Sequence, residues 1–135
     1  MATMVERAFQ PGDRTFVPSD APGMSNGVIF EDDGETGYFY ALDLTKSDDR
    51  VVDALHIYIV ASITDRHLPS TLCIIWSERG TKAALLINGH ADAVFDSSAR
   101  RGFCRTNFPK FADRSPHGWQ SSDLSWSDQA VAWLR

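Results

Sequence analysis

The sequence has little of what most function classes require. All of its apolar runs fall short of the roughly 18 residues a membrane helix needs. It has no basic tract: 13 Lys and Arg stand against 18 Asp and Glu, for a formal charge of −5. An acidic chain of this kind is a poor nucleic-acid binder, because neutralising phosphates supplies most of that affinity. The segment Met1–Phe9 carries no apolar stretch of signal-peptide length, which points to the cytosol. The cysteines are two, Cys73 and Cys104, and a reducing cytosol would keep both as thiols. Cys73 lies in the apolar run Leu72–Trp76 and reads as a small buried hydrophobe.

Catalytic signatures are missing too. There is no phosphate loop and no dinucleotide fingerprint, so no cofactor is implied. Four histidines occur (His56, His67, His90 and His117), none paired at the H-E-x-x-H spacing of zinc enzymes. No metal is expected. A thiol nucleophile at Cys104 would need Arg100, Arg101 and Arg105 to converge on it and lower its pKa.

What remains describes a small globular chain. Its 135 residues, 43% hydrophobic and 23% charged, fit one domain and exclude a disordered tail, a collagen-like repeat or a coiled coil. Residues 1–26 read as irregular, since Pro11, Gly12, Pro18, Pro22 and Gly23 interrupt any helix; at most a short strand falls near Thr15–Val17. An antiparallel sheet is expected over 27–106, with a loop over 107–124. Gly27–Asp32 and Glu35–Leu44 form a hairpin about Asp33-Gly34. A two-residue turn would set Val28 against Phe39 and lay Phe30 over Gly37. It would also oppose Asp32 and Glu35, like charges that a longer loop would separate.

Val51–Ile63 is apolar on both faces and reads as a central strand. Thr71–Glu78, Lys82–Ile87 and His90–Asp96 follow, the last two joined by Asn88-Gly89, a strong hairpin signal. A last strand is expected over Gly102–Thr106. At the C-terminus, Trp126, Ala130, Trp133 and Leu134 recur at helical spacing behind a Ser125/Asp128 capping pattern, which predicts a helix over 125–135 docked on the sheet. The expected architecture is therefore α+β: an antiparallel meander of about six or seven strands with one C-terminal helix on a face.

The segments Phe30–Ala41, Asp53–Tyr58, Ala83–Asn88, Arg101–Pro109 and Trp126–Asp128, taken together, resemble a family of small bacterial proteins known as domain of unknown function 2251. The resemblance covers roughly residues 25–135 and implies a bacterial source. It carries no catalytic residue, substrate or cofactor.

Two groups of residues stand out. Glu31, Asp32, Asp33 and Glu35 crowd the first hairpin tip. Consecutive acids do not follow the alternating ligand pattern of a calcium loop, so the cluster reads as a solvated tip or an acidic contact for a basic partner. His56, Tyr58, Cys104 and Arg105 are the candidates for a small-molecule or enzymatic site on the sheet. The leading expectation is a non-enzymatic protein-binding module, an immunity protein or antitoxin that blocks a basic toxin. The alternatives are that sheet-borne ligand site and an oligomeric scaffold whose exposed edge strand pairs across a two-fold axis.

Overall fold

A computed structural model describes residues 4–21, 23, 25–47, 50–63, 68–97, 101–104 and 133. Nine antiparallel strands account for most of them: β1 (Met4–Phe9), β2 (Thr15–Asp20), β3 (Asn26–Asp32), β4 (Thr36–Asp43), β5 (Val51–Ile59), β6 (Ser70–Trp76), β7 (Lys82–Ile87), β8 (His90–Asp96) and β9 (Arg101–Cys104). They form two sheets, one ordered β1-β6-β7-β8-β9 and the other β2-β3-β4-β5. The α+β meander is thus corrected to an all-β, two-sheet architecture over the described residues. A 3-10 turn at Val60–Ser62 stands between β5 and β6. The helix expected over 125–135 lies outside the described residues, Trp133 excepted.

The inner faces of the two sheets build one core. Val17, Val28, Phe30, Phe39 and Leu55 come from the four-stranded sheet, and Phe9, Leu72, Ile74, Trp76 and Phe95 from the other. Rings join them: Phe39 stacks on Phe95 at 5.1 Å and Phe9 meets Phe30 edge-on at 5.3 Å. The buried Trp76 Nε1 donates to Ser19 Oγ across the core at 2.8 Å, which satisfies the indole.

Two strands occupy residues 1–26, a stretch expected to be irregular apart from a short strand near Thr15–Val17: β1 is the unexpected one, and β2 contains the expected one. The prolines punctuate rather than abolish them. Pro11 and Gly12 form the turn between the strands, with Gly12 at φ +96°, and Pro18 sits within β2, an edge strand where a missing N–H is tolerated. Val51–Ile63 is not central. Strand β5 ends its sheet, and the apolar pattern after Ile59 continues into the 3-10 turn.

The first hairpin pairs Asp32 with Gly37, Phe30 with Phe39 and Val28 with Ala41, because Asp33-Gly34-Glu35 makes a longer loop. This register is shifted by two residues from the tight-turn expectation, so every side chain keeps its face. The ring over Gly37 is that of Tyr58, not Phe30: a Cβ on Gly37 would lie 2.5 Å from Tyr58 Cζ.

In the second hairpin, Ile87 faces His90 and Leu86 faces Ala91 as Asn88-Gly89 predicts. A bulge then moves Leu85 onto Ala93 and Ala83 onto Phe95. Without it Asp92 would oppose Leu85 in the core. The bulge sets the carboxylate aside and turns Ala93 and Phe95 inward. The last strand is described over Arg101–Cys104, with Gly102 directly beneath the Phe95 ring; Arg105 and Thr106 of the expected Gly102–Thr106 lie outside the described residues.

Candidate functional site

The acidic hairpin tip separates into inward and outward members. Asp32 continues the inward series Val28, Phe30 and is only 1% exposed. Its Oδ1 accepts the Gly34 N–H at 2.8 Å, and its Oδ2 accepts the Gly12 N–H at 2.8 Å and the Tyr58 hydroxyl at 2.6 Å. One carboxylate therefore binds together the β1–β2 turn, the hairpin loop and strand β5. Gly34, at φ +100°, adopts a conformation that favours glycine. Burial, followed by the bond to Asp32 and its charge, holds the Tyr58 phenol far above the ordinary tyrosine range.

Asp33 folds into the loop itself. Its Oδ1 accepts the N–H groups of Glu35 and Thr36, both at 2.9 Å. Those two bonds, and Arg14 nearby, lower its pKa. The backbone of Glu35 is tied down by the Val60 N–H at 2.8 Å, while its side chain is exposed. Glu31 alternates with Asp32 and so faces outward, where its Oε1 accepts the Tyr40 hydroxyl at 3.0 Å. Of the four acids expected to steer a partner, Asp32 is thus internal, and Glu31, Asp33 and Glu35 reach the surface.

The outer face of the four-stranded sheet is rich in rings. Phe16, Pro18, Ile29, Tyr38 and Tyr40 alternate with inward residues on β2, β3 and β4. Across the strands Phe16 sits against Glu31, Pro18 against Ile29, and Ile29 against Tyr40. Tyr38 stacks on Tyr40 at 5.6 Å and meets His56 at 5.2 Å. Phe16 is 56% exposed. Burial raises the Tyr40 phenol's pKa, and the bond to Glu31 adds to the shift. Sequence reasoning missed Phe16 because the short strand expected near Thr15–Val17 carried no assignment of its faces. Period-two alternation through Phe16, Pro18 and Asp20 was the available signal.

The second candidate group is divided by β5. His56 pairs with Tyr38 on the outer face, and a register shift then turns Tyr58 inward opposite Gly37. Cys104 ends β9 in the other sheet, its backbone paired with Ala93, and Arg105 lies outside the described residues. Cys73 is half-buried and alternates with the inward Leu72 and Ile74, so it faces away from the core, contrary to its reading as a buried hydrophobe. Burial and the charge of Glu6 push its thiol pKa up, the opposite of activation.

At the far end of the sandwich, Asn26 Nδ2 donates to Gly80 O and Ser97 Oγ, each at 3.1 Å, bridging the sheets. The cleft there, lined by Val28, Trp76, Ala83 and Phe95 among others, has room for about one water molecule and not for a substrate. Among the described residues, no group of three or more His, Cys, Asp or Glu is placed to hold a metal ion. No helix among them is long and apolar enough to cross a membrane.

An uncharacterized protein of Haemophilus influenzae is 43% identical to this chain over 107 residues, which cover 79% of this chain and 65% of that protein. The chain thus spans just under two thirds of that relative's length. No solved structure matches it. A family model described as an uncharacterized protein conserved in bacteria matches residues 9–135, further upstream than the resemblance in sequence reached, and the chain belongs to that family, DUF2251.

Proposed function

We propose that the chain is a non-enzymatic protein-binding module of the immunity-protein or antitoxin kind, which covers a functional surface of a bacterial toxin. One observation carries the reading: Phe16, 56% exposed, stands directly across from Glu31 on a sheet face that also presents Pro18, Ile29 and Tyr40. Fully burying a phenylalanine gains about 1.5–3 kcal/mol over leaving it in water. An apolar surface grouped around a charge is what a partner interface uses, whereas isolated exposed apolar residues are ordinary.

The hairpin beside this face is held by internal hydrogen bonds, so little order has to be gained on binding. The surface carboxylates of Glu31, Asp33 and Glu35 would speed encounter with a basic toxin. A small-molecule or enzymatic site around His56 and Tyr58 has less support, because the two side chains occupy opposite faces of β5.

The test is to express each protein encoded beside this gene, alone and together with the chain. One of them should arrest growth alone, be tolerated in the chain's presence, and co-purify with it in equal amounts at moderate salt. A chain that relieves no toxicity and binds none of these proteins overturns the reading.

A further inference from the structure

We infer that the outer face of β2–β4 receives an arginine side chain of the partner, with its planar head over the Phe16 ring and its charge against Glu31. This rests on the protein-binding reading above and specifies its chemistry.

Three observations select this occupant. First, the charged side chains that β2, β3 and β4 direct to this face are Asp20 and Glu31, both acidic. A carboxylate set among apolar groups calls for a cation able to cover apolar surface at the same time. Arginine does both, with a weakly hydrated planar head and an aliphatic stem. Second, the Tyr40 hydroxyl fixes Glu31 through Oε1, and among the described residues none bonds its Oε2. The carboxylate is therefore oriented in advance, with an acceptor left for a guanidinium N–H. Third, β2 is the edge of its sheet and contains Pro18, which lacks an N–H. Such an edge is poorly suited to adding another strand, so recognition falls to the face.

A second copy of this chain is the competing occupant, and charge disfavours it. It would bring Asp20 and Glu31 against their own duplicates, and one net charge of −5 against another.

The experiment uses the full-length chain and two synthetic probes: an extended peptide carrying alternate arginines, and the same peptide with lysine in their place. Backbone amide NMR spectra are followed during titration. The arginine peptide should shift Phe16, Ile29, Glu31 and Tyr40, and bind more tightly than the lysine peptide. E31Q, which keeps the shape and removes the charge, should weaken arginine binding about tenfold and flatten its salt dependence. F16S should weaken it to a similar extent. Both side chains point away from the core, so thermal melts of the two variants should match the parent and exclude misfolding.

Shifts elsewhere on the molecule, equal binding of the two peptides, or no binding by either overturns the inference. So does a concentration-dependent dimer that buries Phe16, which would assign the face to a second copy. A toxin that is neutralised equally by the parent, E31Q and F16S overturns this face while leaving the protein-binding reading intact. Arginine binding at this face in a chain that neutralises no neighbouring gene product does the reverse.

Discussion

The Tyr58 hydroxyl donates a 2.6 Å hydrogen bond to Asp32, a carboxylate otherwise reached by two backbone N–H groups, from Gly12 and Gly34. Asp32 is 1% exposed, so this bond operates away from water, where losing a partner is costly. The pair joins strands β3 and β5 at the end of the sandwich where the acidic loop sits.

D32A removes the acceptor for three donors at once and is expected to lower stability by about 3–5 kcal/mol. Y58F leaves the ring and removes one donor, for a loss of about 1–2 kcal/mol. Urea unfolding of both single variants and the double variant checks the coupling. Strictly additive losses would mean that the bond contributes nothing in solution.

Adding a methyl at Gly37 drives it into the Tyr58 ring, 2.5 Å from Cζ and 2.6 Å from Cε2. The ring is tethered through its hydroxyl and cannot swing aside without giving up Asp32. G37A should therefore lose about 2–3 kcal/mol. In a Y58A background the same change should cost far less, since the obstructing ring is gone. Equal costs in both backgrounds would locate the clash elsewhere.

Alkaline pH tests the two shifted phenols. Tyr40 and Tyr58 both have folded-state pKa values raised above the ordinary value near 10. For a phenol that means stability is fully present below about pH 10 and is lost as pH rises beyond it, because the unfolded chain ionises first. Of the 3 tyrosines, these two should form phenolate only as the far-ultraviolet circular dichroism is lost. Y40F and Y58F should each reduce the alkaline loss of stability. Ionisation of Tyr40 and Tyr58 near pH 10 with the fold intact would refute this.

Acid pH tests the loop. Asp33 has a folded-state pKa below its unfolded value, chiefly through the Glu35 and Thr36 N–H groups. Its contribution is present above about pH 4 and disappears as pH falls through the folded value. D33N should retain the turn while removing that part of the acid dependence, seen as a flatter stability profile below about pH 4. The effect is small, because solvent screens a surface carboxylate. An unchanged profile would remove Asp33 from the account.

The sequence revealed strands more readily than sheets. Asn88-Gly89 located its hairpin because that dipeptide suits the positive φ values of 52° and 83° found there. Alternation grouped Val28, Phe30 and Phe39 on one face even though the register is shifted by two, since parity survives an even shift. Nothing local indicated that β5 and β6 part into different sheets, because both read as apolar β-type runs. The bulge at Asp92 was equally hidden: it arises from the cost of burying a carboxylate against Leu85, which exists only once the sheets have packed. The candidate site was half legible. Composition flagged the acids, but only the fold distinguishes Asp32, turned into the protein, from Glu31, turned out of it.

Strand β1 has a consequence for the order in which the protein is made. Its partners lie in β6, from Phe9 with Ser70 to Met4 with Ile75, separations of 70 − 9 = 61 and 75 − 4 = 71 residues. Strand β1 must therefore wait until β6 has been made before its backbone is paired. During that interval Met4 and Val5 accompany Glu6 and Arg7, charges that keep a waiting strand from pairing with its neighbours on a polysome. The nascent chain can close the β3–β4 hairpin at once, whereas the five-stranded sheet is completed only after synthesis has passed residue 101.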